Sequence, residues 1–200
     1  MPSSFTSESI CDSESYSQAV YSYDELKQIF KKNIPDEEVL VRIIGLKPDQ
    51  IKELSCLINN DLEYAHNTRL RIVDIIYASC IFLNNVIQLS YDKKGSNNFL
   101  IHVNKFLPKL LGYELKGTAT RPISLEIDGY TGFHFGLRAS YCNFRIDGEI
   151  TDKLDNEITN CVFSTSNKKT YKKLLRYVPR QELNFYGKPN ELRNNVVYLS

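Results

Sequence analysis

Leu125-Glu126-Ile127-Asp128-Gly129 returns nineteen residues later as Phe144-Arg145-Ile146-Asp147-Gly148. The same step carries Cys142 to Cys161, Phe144 to Phe163 and Ile146 to Thr165, and taken backwards it carries Cys142 to Ile123. A further copy, Leu183-Asn184-Phe185-Tyr186-Gly187, follows about one step on. Within the copies, polar Glu126, Asn143, Arg145 and Ser164 fall between apolar neighbours. Alternation by two places the apolar set on one side of an extended chain. Equal steps between copies return equivalent side chains to the same place in space. An antiparallel meander also buries alternate residues, but only stacked parallel strands need matching residues at equal steps. The expected fold class is therefore α+β, with a short right-handed β-helix or solenoid of about 3–4 coils.

Outward from the repeat, the rest of the chain divides by composition and period. Residues 117–200 hold the repeat, with a helix expected near 168–178 between its third and fourth copies. Residues 22–116 read as helical, and this half is expected to cap the first coil. Ser22 precedes the acidic pair Asp24-Glu25, Pro48-Asp49-Gln50 opens a segment that stops at Asn59-Asn60, and Asn67-Thr68 caps a long apolar helix over roughly 68–91. For residues 98–112 the spacing of Phe99, Leu100, Val103, Phe106 and Leu107 favours helix over strand, with Pro108 against it. Residues 1–21 carry seven Ser, three acids and no base, and read as an acidic, disordered tail.

Two hundred residues with 42% hydrophobic and 24% charged side chains make an ordinary globular domain. The balance of 25 basic against 24 acidic residues removes any global argument for nucleic acid or membrane binding. Five Cys without a CxxC pair do not make a disulfide scaffold, and no basic-then-apolar leader opens the sequence. The apolar stretch Ile72–Leu89 contains Asp74, Asn84, Asn85 and Gln88, so it reads as a buried helix and not a membrane span. The expected location is cytoplasmic, with reduced thiols.

Motifs for chemistry are scarce. His66, His102 and His134 stand in no ligand pattern, and no phosphate loop, dinucleotide fingerprint or nucleophile elbow occurs. No metal, no cofactor and no catalytic residue is assigned. Cys142 with His134 is the sharpest catalytic pairing on offer, but alternation turns Cys142 inward, where a thiol is a small hydrophobe. Cys142 and Cys161 are expected as neighbours near disulfide distance. Asp128 and Asp147 are expected to stack before their glycines as turn residues, with Ser166 in the third place.

Two surfaces stand above background. Tyr130, Phe133, Phe135 and Tyr141 crowd into twelve residues beside Gly132 and Gly136, and exposed aromatics mark interfaces. The segment 168–180 carries six positive charges and no acid. On a helix, Lys168, Lys169, Lys172, Lys173 and Arg176 face outward while Tyr171, Leu174, Leu175 and Val178 face inward. A solvated face or a polyanion contact both fit that run, and the acidic tail could also lie across it.

The run from Arg121 to Asn167, with Ile-Thr-Asn-Cys-Val-Phe-Ser-Thr followed by a Lys-rich helix and Val-Pro, resembles uncharacterised archaeal-type proteins carrying a few C-terminal β-helix coils. Those coils are similar to the short β-helix that ends the glutamate synthase large subunit. The resemblance covers about a third of the chain and keeps Gly129, Gly132, Gly136 and Gly148, with Asn167 in the next glycine slot. It implies a fold and no activity. The functional expectation is a non-enzymatic interaction or assembly module with a protein partner or self-association. The alternatives are a nucleic-acid-associated protein using 168–180, and an enzyme of unrecognised type.

Overall fold

A computed structural model of the protein describes residues 14–25, 45–67, 72–103, 110–151, 157–178 and 183–185. Residues 14–25 form helix α1, followed by α2 (Pro48–Asn67) and α3 (Ile72–Lys94). The strands are β1 (Asn98–Val103), β2 (Ile123–Thr131), β3 (Cys142–Ile146), β4 (Glu149–Ile150), β5 (Val162–Thr165) and β6 (Leu183–Phe185), with α4 (Lys168–Leu174) before the last. Five strands form one sheet in the order β1-β2-β3-β5-β6, and β4 pairs the end of β2. Every pair is parallel.

The nineteen-residue step is visible as register. Phe99, Leu125, Phe144, Phe163 and Leu183 stand opposite one another across the sheet. Alternation then sorts the faces, so Ile123, Leu125 and Ile127 are buried while Asp128 and Asn143 are exposed. The glycine of each step serves a close approach. A Cβ on Gly129, at φ 127°, would lie 1.8 Å from the carbonyl oxygen of Val103.

The architecture inferred from that step is corrected. The fold is α/β, with helices packing on a mostly parallel sheet, and it is not a β-helix solenoid. Between the strands the chain returns through turns at 110–114 and 133–138, joined by the isolated bridges Lys116↔Ser140 and Ser140↔Thr159 and the two-residue β4. Among the described residues the strands build one main ladder, and α2 packs along its β1 side with α3 on α2. An in-register parallel sheet whose strands follow chain order needs matching side chains at equal steps as much as a solenoid does. The repeat therefore specifies the ladder and not its closure.

Three further expectations change. Residues 98–103 are a strand, because Phe99, Ile101 and Val103 alternate inward and β2 supplies a partner. Helix α2 runs through Asn59-Asn60, since Asn59 spends its amide on another element. Residues 14–21, assigned to a disordered tail, are helical, with Ala19 buried and Tyr23 one turn further on packed against Phe82 of α3. Residues 1–13, the helical segments expected within 26–44 and the repeat residues Tyr186-Gly187 lie outside the described residues.

At the free edge of β1, the backbone of His102 is held by side chains. His102 donates its backbone N–H to Ser55 Oγ and accepts from Asn59 Nδ2 at its carbonyl. From α3, Asn84 Nδ2 donates to Leu110 O at 2.7 Å and its Oδ1 accepts from Gly112 N at 2.9 Å. One turn later, Gln88 brackets Lys116 in the same way, at 2.8 and 3.2 Å. Polar residues on otherwise apolar helices thus stand where a preceding strand would stand.

Candidate interaction site

The turn that follows β2 has an unusual backbone. His134, Gly136 and Arg138 alternate in the left-handed region at φ 59°, 68° and 58°. Leu110, Gly112 and Glu114 do the same at 60°, 76° and 55°. The two turns hold each other through Leu110 N to Phe133 O, Gly136 N to Leu111 O and Glu114 N to Leu137 O, each within 2.9 Å. Non-glycine residues cost energy there, so the mutual bonding is what keeps the shape.

This backbone sorts the four aromatics. Phe135 is fully buried and packs edge-on to Phe144 at 4.9 Å, with Phe163 beyond at 6.4 Å. It belongs to the core. Phe133 is 42% exposed, its ring 3.8 Å from that of His134. Tyr130, at 40%, lies three residues away at the end of β2. Tyr141 is also exposed but precedes β3, at the opposite end of the parallel strands. The structure therefore brings Tyr130 and Phe133 to one end, separates Tyr141 from them and removes Phe135.

A charged column braces the outside of these turns. Arg138 reaches Glu157 at 2.8 Å and Glu114 at 3.3 Å. The hydrogen bond it donates to Glu157, then that to Glu114, raises the guanidinium pKa further above its ordinary value. The residues sit two places before the bridged trio Lys116, Ser140 and Thr159, so the ion pairs follow the register.

The basic helix is less uniform than its sequence. Lys169 pairs with Glu149 at 3.1 Å, and Lys173 Nζ donates to the carbonyls of Ile150 and Thr151. These two cations tether α4 to β4. Lys172 and Arg176 are exposed, and Lys168 is half-buried; none of the three has an acidic partner within 4 Å among the described residues. Tyr171, Leu174 and Val178 are buried as expected, but Leu175 is exposed, because α4 ends at Leu174.

Cys142 and His134 form no catalytic pair. Cys142 is buried, its Sγ near the carbonyls of Ser140 and Leu115, and it contacts Cys161 instead. The hydrogen bond with Cys161, followed by burial, pushes its thiol pKa up, away from thiolate. Asp128 pairs with His102 at 2.9 Å, while Asp147 takes Ser166 and Arg145. Each carboxylate has its own partner, and no metal-binding group of three occurs among the described residues. Sequence reasoning missed one feature, an open groove of about 560 Å³ on the outer face of the sheet. Asp49 and Lys52 border it, with Glu126 and Arg145 at its floor.

No protein-family model matches the chain, and no curated protein or solved structure is significantly similar to it. No helix among the described residues is long and apolar enough to cross a membrane.

Proposed function

We propose that the protein is a non-enzymatic, cytoplasmic interaction or assembly module, anchored on a protein partner through Tyr130 and Phe133. One observation carries the reading: Phe133 stands exposed on a turn whose backbone is locked by its neighbour, with Tyr130 exposed three residues before it at the end of β2. A rigid aromatic loses little conformational freedom on docking, which is why such residues concentrate binding energy. The test replaces Phe133 with a photo-crosslinking phenylalanine analogue in cells, alongside sedimentation of the purified protein. A discrete adduct at position 133, absent when the analogue is placed at exposed Tyr64, supports the reading. A protein that gives no adduct and sediments as a monomer at every concentration overturns it.

A second reading has its own observation. Lys168, Lys172 and Arg176 lie four residues apart with no acidic partner among the described residues, which suits successive phosphates of a nucleic acid strand. Its test is binding of single-stranded nucleic acid across a salt series. A triple Lys168→Glu, Lys172→Glu, Arg176→Glu variant should lose that binding while keeping its fold.

A further inference from the structure

We propose that Cys142 and Cys161 are a modification site, forming a disulfide that joins β3 to β5 by exchange with a small-molecule disulfide. The register places them. Asn143 stands opposite Val162, so the residues before them, Cys142 and Cys161, are neighbours on adjacent parallel strands. Strands in a sheet lie about 4.8 Å apart, inside the Cα separation of about 4.4–6.8 Å that a disulfide spans. The side chains also meet. Cys142 N donates to Cys161 Sγ at 3.4 Å. They are equivalent down to their surroundings, since each Sγ lies against the carbonyl two residues before it, at 3.4 Å for Cys142 and 3.3 Å for Cys161.

Cys80 is buried on α3 and Cys56 half-buried on α2. Cys11 lies outside the described residues.

The chemistry balances as two exchanges. Cys142 loses its proton, and its sulfur attacks one sulfur of the small disulfide, releasing one thiolate and leaving a mixed disulfide. Cys161 loses its proton and attacks the Cys142 sulfur, releasing the second thiolate. The two released thiolates take up the two protons, so the protein pair is oxidised by two electrons and the reagent reduced by two. Both protein sulfurs are buried and disfavour the thiolate, so exchange requires a local opening. The β3–β5 and β5–β6 ladders have three residue pairs each against six in β1–β2, so the opening lies at this side of the sheet. In a reducing compartment the bridge is the transient form.

The experiment uses the full chain, reduced and folded, incubated with oxidised glutathione in buffer and in sub-denaturing urea. Free thiols are then alkylated and the protein is digested with trypsin. The expected result is a linked pair of peptides, 139–145 with 154–168, and a fall from five alkylated cysteines to three, reversed by dithiothreitol. Linkage should form several-fold faster in the urea arm. Retention of all five thiols in both arms overturns the proposal, as does a bridge to Cys80 or Cys56. A Cys161→Ser variant should stop at the mixed disulfide on Cys142. Should that variant not fold, the peptide map of the unaltered chain decides alone.

Discussion

The side-chain amide of Asn84 holds Gly112 by the bond that the backbone of Leu111 gives Gly136 in the next turn. The amide of one helical residue thereby replaces a whole peptide group. Removing it leaves the Gly112 N–H buried and unpaired, at about 1–3 kcal/mol, while the Leu110 carbonyl keeps only the N–H of Tyr113. Asn84→Leu is expected to lower stability by about 1–3 kcal/mol in urea unfolding. Gln88→Ala, at an exposed site, should cost less than about 1 kcal/mol. Equal effects from the two would contradict a capping role for Asn84.

The aromatic turn predicts opposite outcomes two residues apart. Phe135→Ala empties the space beside Phe144 and Phe163 and should cost about 3–5 kcal/mol. Phe133→Ala should change stability by no more than about 0.5 kcal/mol and, if the proposed interaction reading holds, abolish the crosslinked adduct. Calorimetry beside the crosslinking assay separates the two readouts.

Backbone conformation supplies a third contrast. Gly129→Ala must push the Val103 carbonyl away, and should destabilise by more than about 3 kcal/mol or prevent folding. His134→Gly relaxes a left-handed residue, worth about 1–2 kcal/mol, against the added chain entropy of glycine. A net gain of roughly 0.5–1 kcal/mol is expected in thermal unfolding. A loss would mean that the His134 ring contact with Phe133 outweighs the strain.

Among the lysines, position predicts the phenotype. Lys173→Glu sets a carboxylate against the carbonyls of Ile150 and Thr151 and should lower the melting temperature. Lys172→Glu should leave it unchanged. Polyanion affinity, if the second functional reading holds, should follow Lys172 and not Lys173, and should weaken with added salt.

The nineteen-residue step made Leu125, Phe144 and Phe163 legible as a column, because register depends on side chains that recur in sequence. What encloses the column was not legible. Ser55, Asn59, Asn84 and Gln88 act across 26 to 47 residues, and nothing local marks a helical Asn as the partner of a distant peptide group. The left-handed turns were hidden for a related reason. Most of their positive-φ positions carry Leu, Glu, His and Arg, which do not announce that conformation as Gly or Asn would. For the interaction site, the aromatic cluster was visible as composition, but only the backbone of 132–141 could divide Tyr130 and Phe133 from buried Phe135 and distant Tyr141.

The capping helices α2 and α3 precede every described strand, and this gives synthesis a direction. When β1 leaves the ribosome, Ser55 and Asn59 have already been made. At about 5–20 residues per second, each later strand then emerges within seconds of the one beside which it lies. A parallel sheet cannot begin from a hairpin, and refolding from the full-length unfolded chain must close each long loop in competition with the others. Translation presents the strands one at a time and in spatial order. The newborn chain is expected to fold with higher yield than the same chain diluted from urea, with the difference narrowed by any change that lengthens the wait between strands.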